Sequence, residues 1–337
     1  MTYRTLWLSF FIMWASLAYT QTAGTGAITG TVMDTSGAAI PNAIIEATNA
    51  NTGQQRMVTS AADGTYRFAL LPPGTYRVRF TAVGFTTAEV QVTVNVTETP
   101  VVNRRLDVGS QAEEVTVEAN AETVQTTSAA LGGVLGGAQV VNLPLTTRNY
   151  TNLLALSAGV SAGVTNASNL GKAGMDMAVN GGGTGSNNTL MDGVSITVFS
   201  STGTNSIDFQ NRGGSPVPNP DTLQEFKVQT SAYDAGYGRN VGANVSIITK
   251  SGTNVFHGAA FEFFRNTALN ANDFFLNLAG KGKGILNQNQ YGGTLGGPIK
   301  KDKLFFFGSF QGTRQKNGVA SQGNSAVTWF RFQAVTV

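Results

Sequence analysis

Beyond its first twenty residues this chain has no apolar run near the ~20 residues that a helix needs to cross a bilayer, yet short alternating runs closed by turn residues recur throughout. Such a chain is built for strands. Any passage through a membrane would have to be made by a β-barrel, the other structure that satisfies its own backbone inside lipid. Composition points the same way: 41 glycines, 41% apolar residues and only 12% charged residues suit many short strands and tight turns better than helices. A length of 337 residues leaves room for two or three domains.

Residues 1–20 have a separate role. Arg4 supplies a positive start, residues 6–17 form an uncharged apolar stretch, and Ser16-Leu17-Ala18 offers a small-x-small cleavage site, which together predict a secretory signal peptide. The absence of cysteine fits an exported protein and excludes disulfide scaffolds, a lipid anchor on cysteine and cysteine-based zinc sites. Net charge is +3, from 22 basic and 19 acidic residues, so no concentrated basic face calls for nucleic acid. Lys281, Lys283, Lys300, Lys301 and Lys303 read as solvated turns.

From residue 27 onward, strands are predicted at 27–33, 43–48, 65–70, 75–82 and 89–97, separated by Asp34-Thr35-Ser36-Gly37, Asp63-Gly64 and Pro72-Pro73-Gly74 turns. This spacing fits a small sandwich. The set Gly30-x-Val32-x-Asp34, Asp63-Gly64-x-Tyr66-x-Phe68, Leu71-Pro72-Pro73-Gly74-x-Tyr76-x-Val78 and Gly84-Phe85 resembles the carboxypeptidase regulatory-like β-sandwich over residues 26–108. The resemblance implies a non-catalytic accessory domain. A zinc peptidase site would need several ligands, and His257 is the single histidine.

Residues 109–119 read as a linker with one strand-forming patch. Further on, Asn142-Leu143-Pro144-Leu145, Arg148-Asn149-Tyr150, Met191-Asp192-Gly193, Leu223-Gln224-Glu225-Phe226-Lys227-Val228 and the run from Ala243 to Asn254 resemble the plug of TonB-dependent receptors of the Oar-like group, assigned to residues 120–254. Residues 255–337 then alternate loosely with many Phe and Gly, as the first strands of an outer-membrane barrel would, at 256–265, 291–297 and 304–311. Phe261 and Phe263 are expected to face lipid, with Glu262 and Ala260 in the lumen, because a charge in hydrocarbon is costly. These 83 residues suffice for about four to six strands, against the order of 22 needed to enclose a plug, so the barrel is expected to be incomplete. The tail from Trp329 lacks a final-strand signature, which suggests a fragment or a shortened reading frame.

The fold class expected is therefore all-β dominated: an N-terminal β-sandwich, an α+β plug and the start of a transmembrane β-barrel. The family resemblance implies an outer-membrane receptor, its sandwich in the periplasm, that takes up an unidentified ligand, carbohydrate or peptide by family analogy. Implied partners are outer-membrane lipid and a periplasmic TonB-type energy-coupling protein. Glu113, Glu114, Val115, Thr116 and Val117 are the candidate coupling segment, which would add a strand to that protein. Asn180, Gly181, Gly182, Gly183, Asn187 and Asn188 are the candidate ligand-facing plug loop. Residues 181–186 lack the Gly-Lys-Ser/Thr ending of a phosphate loop, and Asp34, Asp63 and Asp192 suit turns better than calcium. His257 reads as a structural hydrogen-bonder. No catalytic set, metal site or cofactor is expected, so an enzyme is not. The rival reading is a secreted or surface adhesion protein whose sandwich binds a glycan.

Overall fold

A computed structural model describes residues 24–109, 114–117, 130–143, 145, 147–162, 177–183, 186–196, 218–233, 237–238, 240–318 and 322–334. The first unit has strands β1 (Gly26–Asp34), β2 (Ile44–Asn49), β3 (Gln55–Thr59), β4 (Thr65–Leu71), β5 (Gly74–Thr81), β6 (Thr87–Val94) and β7 (Arg104–Leu106), followed by β8 (Glu114–Val117). They make two sheets, ordered β4-β1-β7 and β3-β2-β5-β6-β8. Alternation drives the packing: Tyr66, Phe68, Tyr76, Val78, Phe80, Val92 and Val94 all point into one core. The Tyr66 ring meets Phe68 and Phe80 edge-on at 6.0 and 5.6 Å, and its hydroxyl donates to the Val102 carbonyl at 2.8 Å.

The turns follow their chemistry. Asp34 accepts from Ser36 Oγ at 2.6 Å and Ala38 N at 2.8 Å, and Asp63 accepts from Thr65 Oγ1 at 2.6 Å. Two strands escape a reading by alternation: β3 is an edge with almost no buried residue, and β7 has only three residues. The strand expected to reach Thr97 stops at Val94, because Thr97 takes a left-handed φ of 59° and turns the chain away.

The middle unit contains β9 (Leu131–Gly136), helix α1 (Gly137–Asn142), a 3-10 turn (Tyr150–Leu156), β10 (Val160–Ala162), β11 (Met177–Val179), β12 (Asn188–Met191), β13 (Val194–Ser195), β14 (Leu223–Ser231) and β15 (Asn244–Thr249). Its main sheet runs β13-β12-β15-β14-β9, with β12 and β15 parallel. Val140, Tyr150, Leu153, Leu154, Phe226, Val228, Val245 and Ile247 form its apolar core. Met191-Asp192-Gly193 closes the β12–β13 hairpin, with Asp192 and Gly193 at φ 49° and 83°, the two positive values that a type I′ turn needs.

The last unit is an antiparallel sheet of β16 (His257–Arg265), β17 (Leu286–Lys300), β18 (Leu304–Asn317) and β19 (Gln322–Ala334), with helix α2 (Phe274–Leu278) between the first two. β17 and β18, with 15 and 14 residues, run well beyond the segments that alternation marked out. Gln, Asn and Gly at their ends weaken the apolar period without ending the ladder. β19 likewise covers part of a tail read as lacking a strand signature.

One expectation about this sheet is reversed. Gln290 donates to the Thr147 carbonyl of the middle unit at 3.1 Å, and Phe263 lies directly opposite Gln290 on the neighbouring strand, hence on the same face. The Arg148 guanidinium of the middle unit sits 4.4 Å from the Phe261 ring and 4.1 Å from the Phe263 ring. Phe261 and Phe263 therefore face inward, and Glu262, opposite Tyr291, faces outward with Phe264. A cation stacked on aromatic faces outweighs the simple rule that phenylalanine seeks lipid.

The sandwich core implies that residues 26–108 fold in isolation. Circular dichroism of that piece is expected to show a β spectrum and a melting curve unchanged by EDTA. An alanine methyl at Gly30 would lie 1.9 Å from the Val102 carbonyl oxygen, so Gly30→Ala is expected to lower its stability in urea by roughly 1–3 kcal/mol or more.

Candidate functional site

The chemistry-bearing residues gather where the three units meet. The candidate coupling segment comes first along the chain. Glu113 lies outside the described residues, whereas Glu114, Val115, Thr116 and Val117 form β8, parallel to β6 in the register Thr87↔Glu114 through Val90↔Val117. The segment is thus the fifth strand of a sheet, not a bare linker. Its course is set just upstream, where Asp107 accepts from Thr86 N at 2.8 Å and Phe85 bridges Val108, laying the chain beside the unpaired edge of β6.

The candidate loop divides. Asn180 is exposed at φ 49° and donates to the Thr230 carbonyl at 2.8 Å, while Gly181, at φ 78°, and Gly182, bonded back to Val179, complete a tight turn beside Gly183. Asn187 corrects the expectation: it is buried, with its amide donating to the Met177 carbonyl at 2.7 Å and accepting from Ala243 N at 2.8 Å. Both ends of that amide are occupied in joining loop to sheet, so it cannot face a ligand. Asn188 lies half-buried on β12, with its amide 3.4 Å from that of Asn244.

A first seam joins the sandwich to β14. Because side chains alternate along a strand, Phe226 and Val228 enter the apolar core while Glu225 and Lys227 project from the other face toward the sandwich. There Glu225 accepts from Val96 N at 2.5 Å, Lys227 pairs with Glu98 at 3.1 Å, and Gln224 donates to the Pro73 carbonyl at 3.1 Å. Both charges are buried, at 6% and 5% exposure. Burial pushes the Glu225 carboxyl up to about 7; the Val96 N–H and Lys227 oppose the shift, and Glu98 adds to it. Among the described residues Gln229 Oε1, Asn244 Nδ2, Ser246 Oγ and Thr97 Oγ1 are buried without a hydrogen-bond partner.

A second seam joins the middle unit to the strands of the last one. Arg148 and Asp221 form a buried ion pair, and the arginine also stacks on Phe261 and Phe263. Burial lowers the arginine's affinity for its proton, and Asp221 offsets part of that. Ser309 of β18 accepts from Asn219 at 2.6 Å and bonds Thr222 at 3.0 Å. Where the β17–β18 turn meets the sandwich, Asn254 donates to Asp302 at 2.7 Å and, through its backbone, to the Asn51 carbonyl at 2.9 Å. His257 stacks on Phe307 with ring centres 6.2 Å apart, and its Nδ1 lies 3.0 Å from the Val255 carbonyl. Among the described residues no three His, Asp or Glu side chains converge as metal ligands would.

Arg148, Glu225 and Lys227 entered the sequence reading only as parts of the plug resemblance, with no role of their own, and Asp221 and Glu98 were not singled out. One signal was present, since Glu225 and Lys227 alternate with the apolar Phe226 and Val228 and so mark a second, polar face of the strand.

The fold is strand-dominated, and two of its stretches match known domain families: residues 27–107 match the carboxypeptidase regulatory-like domain, and residues 248–329 match the outer membrane beta barrel domain. The chain is similar to the TonB-dependent transporter Oar of Myxococcus xanthus, with 29% identity over 349 residues. That alignment takes in 93% of this chain and 30% of the relative, so the chain spans under a third of the length of that protein. More distant structural likenesses are the outer membrane transporter YddB of Escherichia coli, at 15% identity and a TM-score of 0.41, covering 60% of this chain and 30% of that one, and the siderophore receptor PirA of Acinetobacter baumannii, at 20% and 0.39, covering 60% and 26%.

Two measurements probe the seams. The docked Glu225 keeps its proton up to about pH 7, whereas a free glutamate loses it near 4.5, so between those values the docked form binds more protons. Docking should therefore weaken as pH rises from about 5 to about 7 and then level off, read as hydrogen-exchange protection of the Val96 amide in the full-length protein. Glu225→Gln should flatten that profile. At the second seam Asp221→Ala strands a buried arginine and is expected to cost roughly 3–5 kcal/mol in a detergent melt of the same protein.

Proposed function

We propose that the complete protein is a TonB-dependent outer-membrane receptor that takes up its ligand actively, and that the middle unit is its plug. The observation that supports this best is the second seam. A compact mixed sheet is held by the stacking of Arg148 on Phe261 and Phe263 and by Gln290 and Ser309 against the inner face of strands that match an outer-membrane barrel. The outward face carries an apolar belt, in which Tyr291 packs on Phe310 and Phe256 on Phe306 with Leu295 between those levels, and Glu262 lies beside Tyr291 at its margin. The short β17–β18 turn lies against the sandwich, and the longer connection that carries α2 lies at the other end of β17, so the sandwich end is the periplasmic one.

In this reading Glu113, Glu114, Val115, Thr116 and Val117 are offered to the periplasmic coupling protein by strand addition, where backbone bonds supply affinity. The ligand is a polar solute, carbohydrate or peptide, met by the Asn180-Gly181-Gly182-Gly183 turn and by loops at the other end of the barrel. Nothing in the geometry favours the adhesion reading over this one. The test is binding of a purified periplasmic coupling domain to the full-length receptor. Proline removes the backbone donor that strand addition uses, so Val115→Pro or Val117→Pro should weaken binding by about tenfold or more. Unchanged binding by both would place the coupling segment elsewhere.

A further inference from the structure

The face of the plug sheet beneath the sandwich is unusual for a permanent contact. Lasting interfaces resemble a cut core and are mostly apolar. Glu225 and Lys227 meet the sandwich, and Gln229, Asn244 and Ser246 lie buried on the same face beside Leu190 and Ile248; three of these polar residues have a polar atom with no partner among the described residues. The opposite face of the same strands holds Phe226, Val228, Val245 and Ile247 and forms the true core. Lifting the sandwich would wet the polar face and leave the apolar one untouched. The direct bonds that hold it to β14 are correspondingly few: Val96 to Glu225, Glu98 to Lys227 and Pro73 to Gln224.

The candidate coupling strand is attached to this same sandwich. β8 pairs with β6 along one edge, and it is the last strand in the order β3-β2-β5-β6-β8, so among the described residues its other edge carries no strand. A strand donated by a partner can add there as a sixth.

We propose that the β-sandwich is a removable cover on the polar face of the plug sheet, and that the coupling protein lifts it by adding its strand to the open edge of Glu114–Val117. The inference rests on the coupling role given to that segment above. Force applied to β8 reaches the sandwich through the β6 ladder, and the contacts that give way are the Glu98–Lys227 and Val96–Glu225 bonds.

The test uses the full-length receptor in intact cells, with Ser246→Cys as a reporter under the cover and N-ethylmaleimide as the probe. The residues described here contain no other thiol. Cells treated with a protonophore should label slowly, and energised cells about tenfold faster or more. Glu98→Ala with Lys227→Ala should label fast in both conditions, with heat-modifiable migration confirming that the barrel is assembled. Equal labelling with and without the two latch residues would overturn the cover. If the latch variant opens but Val115→Pro still shows the energised rate, the cover stands and the coupling role of β8 fails.

Discussion

β14 is buried on both sides, and the rest of the molecule is arranged around the different demands of its two faces. Phe226 and Val228 need an apolar partner and find it in Tyr150, Val245 and Ile247. Glu225 and Lys227 cannot be left dry and unpaired, because a buried charge without a partner is strongly destabilising. The sandwich answers that need with the Val96 amide and the Glu98 carboxylate. One strand with a two-residue period thus fixes both the fold of the middle unit and the position of the domain in front of it.

The second seam follows a similar logic with different chemistry. Arg148 is held by Asp221 and by two aromatic faces, so its charge is neutralised on one side and stacked on the other. Gln290 and Ser309 add amide and hydroxyl bonds between the last unit and the middle one. Both seams are polar and both carry buried groups short of partners, including Thr147 Oγ1, Gln288 Oε1 and Gln311 Oε1. Contacts of this kind orient two bodies without fusing them.

Much of the sandwich was legible from residue order. Tyr66, Phe68, Tyr76, Val78 and Phe80 alternate cleanly, and Asp34 and Asp63 announce turns that form through their own side chains. β3 and β7 were not legible, since an exposed edge strand has no buried period and three residues are too few to show one. The candidate site was less legible still. Asn187 and Asn180 are the same residue type in one polar stretch, yet one is locked between Met177 and Ala243 and the other is exposed at a turn. Composition cannot separate them, because the difference lies in which strands the loop joins.

The sequence by itself determined the strand-dominated class, the N-terminal sandwich and the resemblance to outer-membrane transporters, because period, turn residues and family motifs are local properties that survive without a partner. Tertiary structure decided which way each face points. Phe261 and Glu262 would exchange sides if lipid preference alone ruled, and only the arrival of Arg148 from a distant loop turns the aromatic residue inward. The same holds for Glu114–Val117, whose residues favour extension but whose place beside β6 depends on an unpaired edge that exists only once the sandwich has formed. Pairing across long sequence separations is a property of the folded whole, and no short stretch of residues contains it.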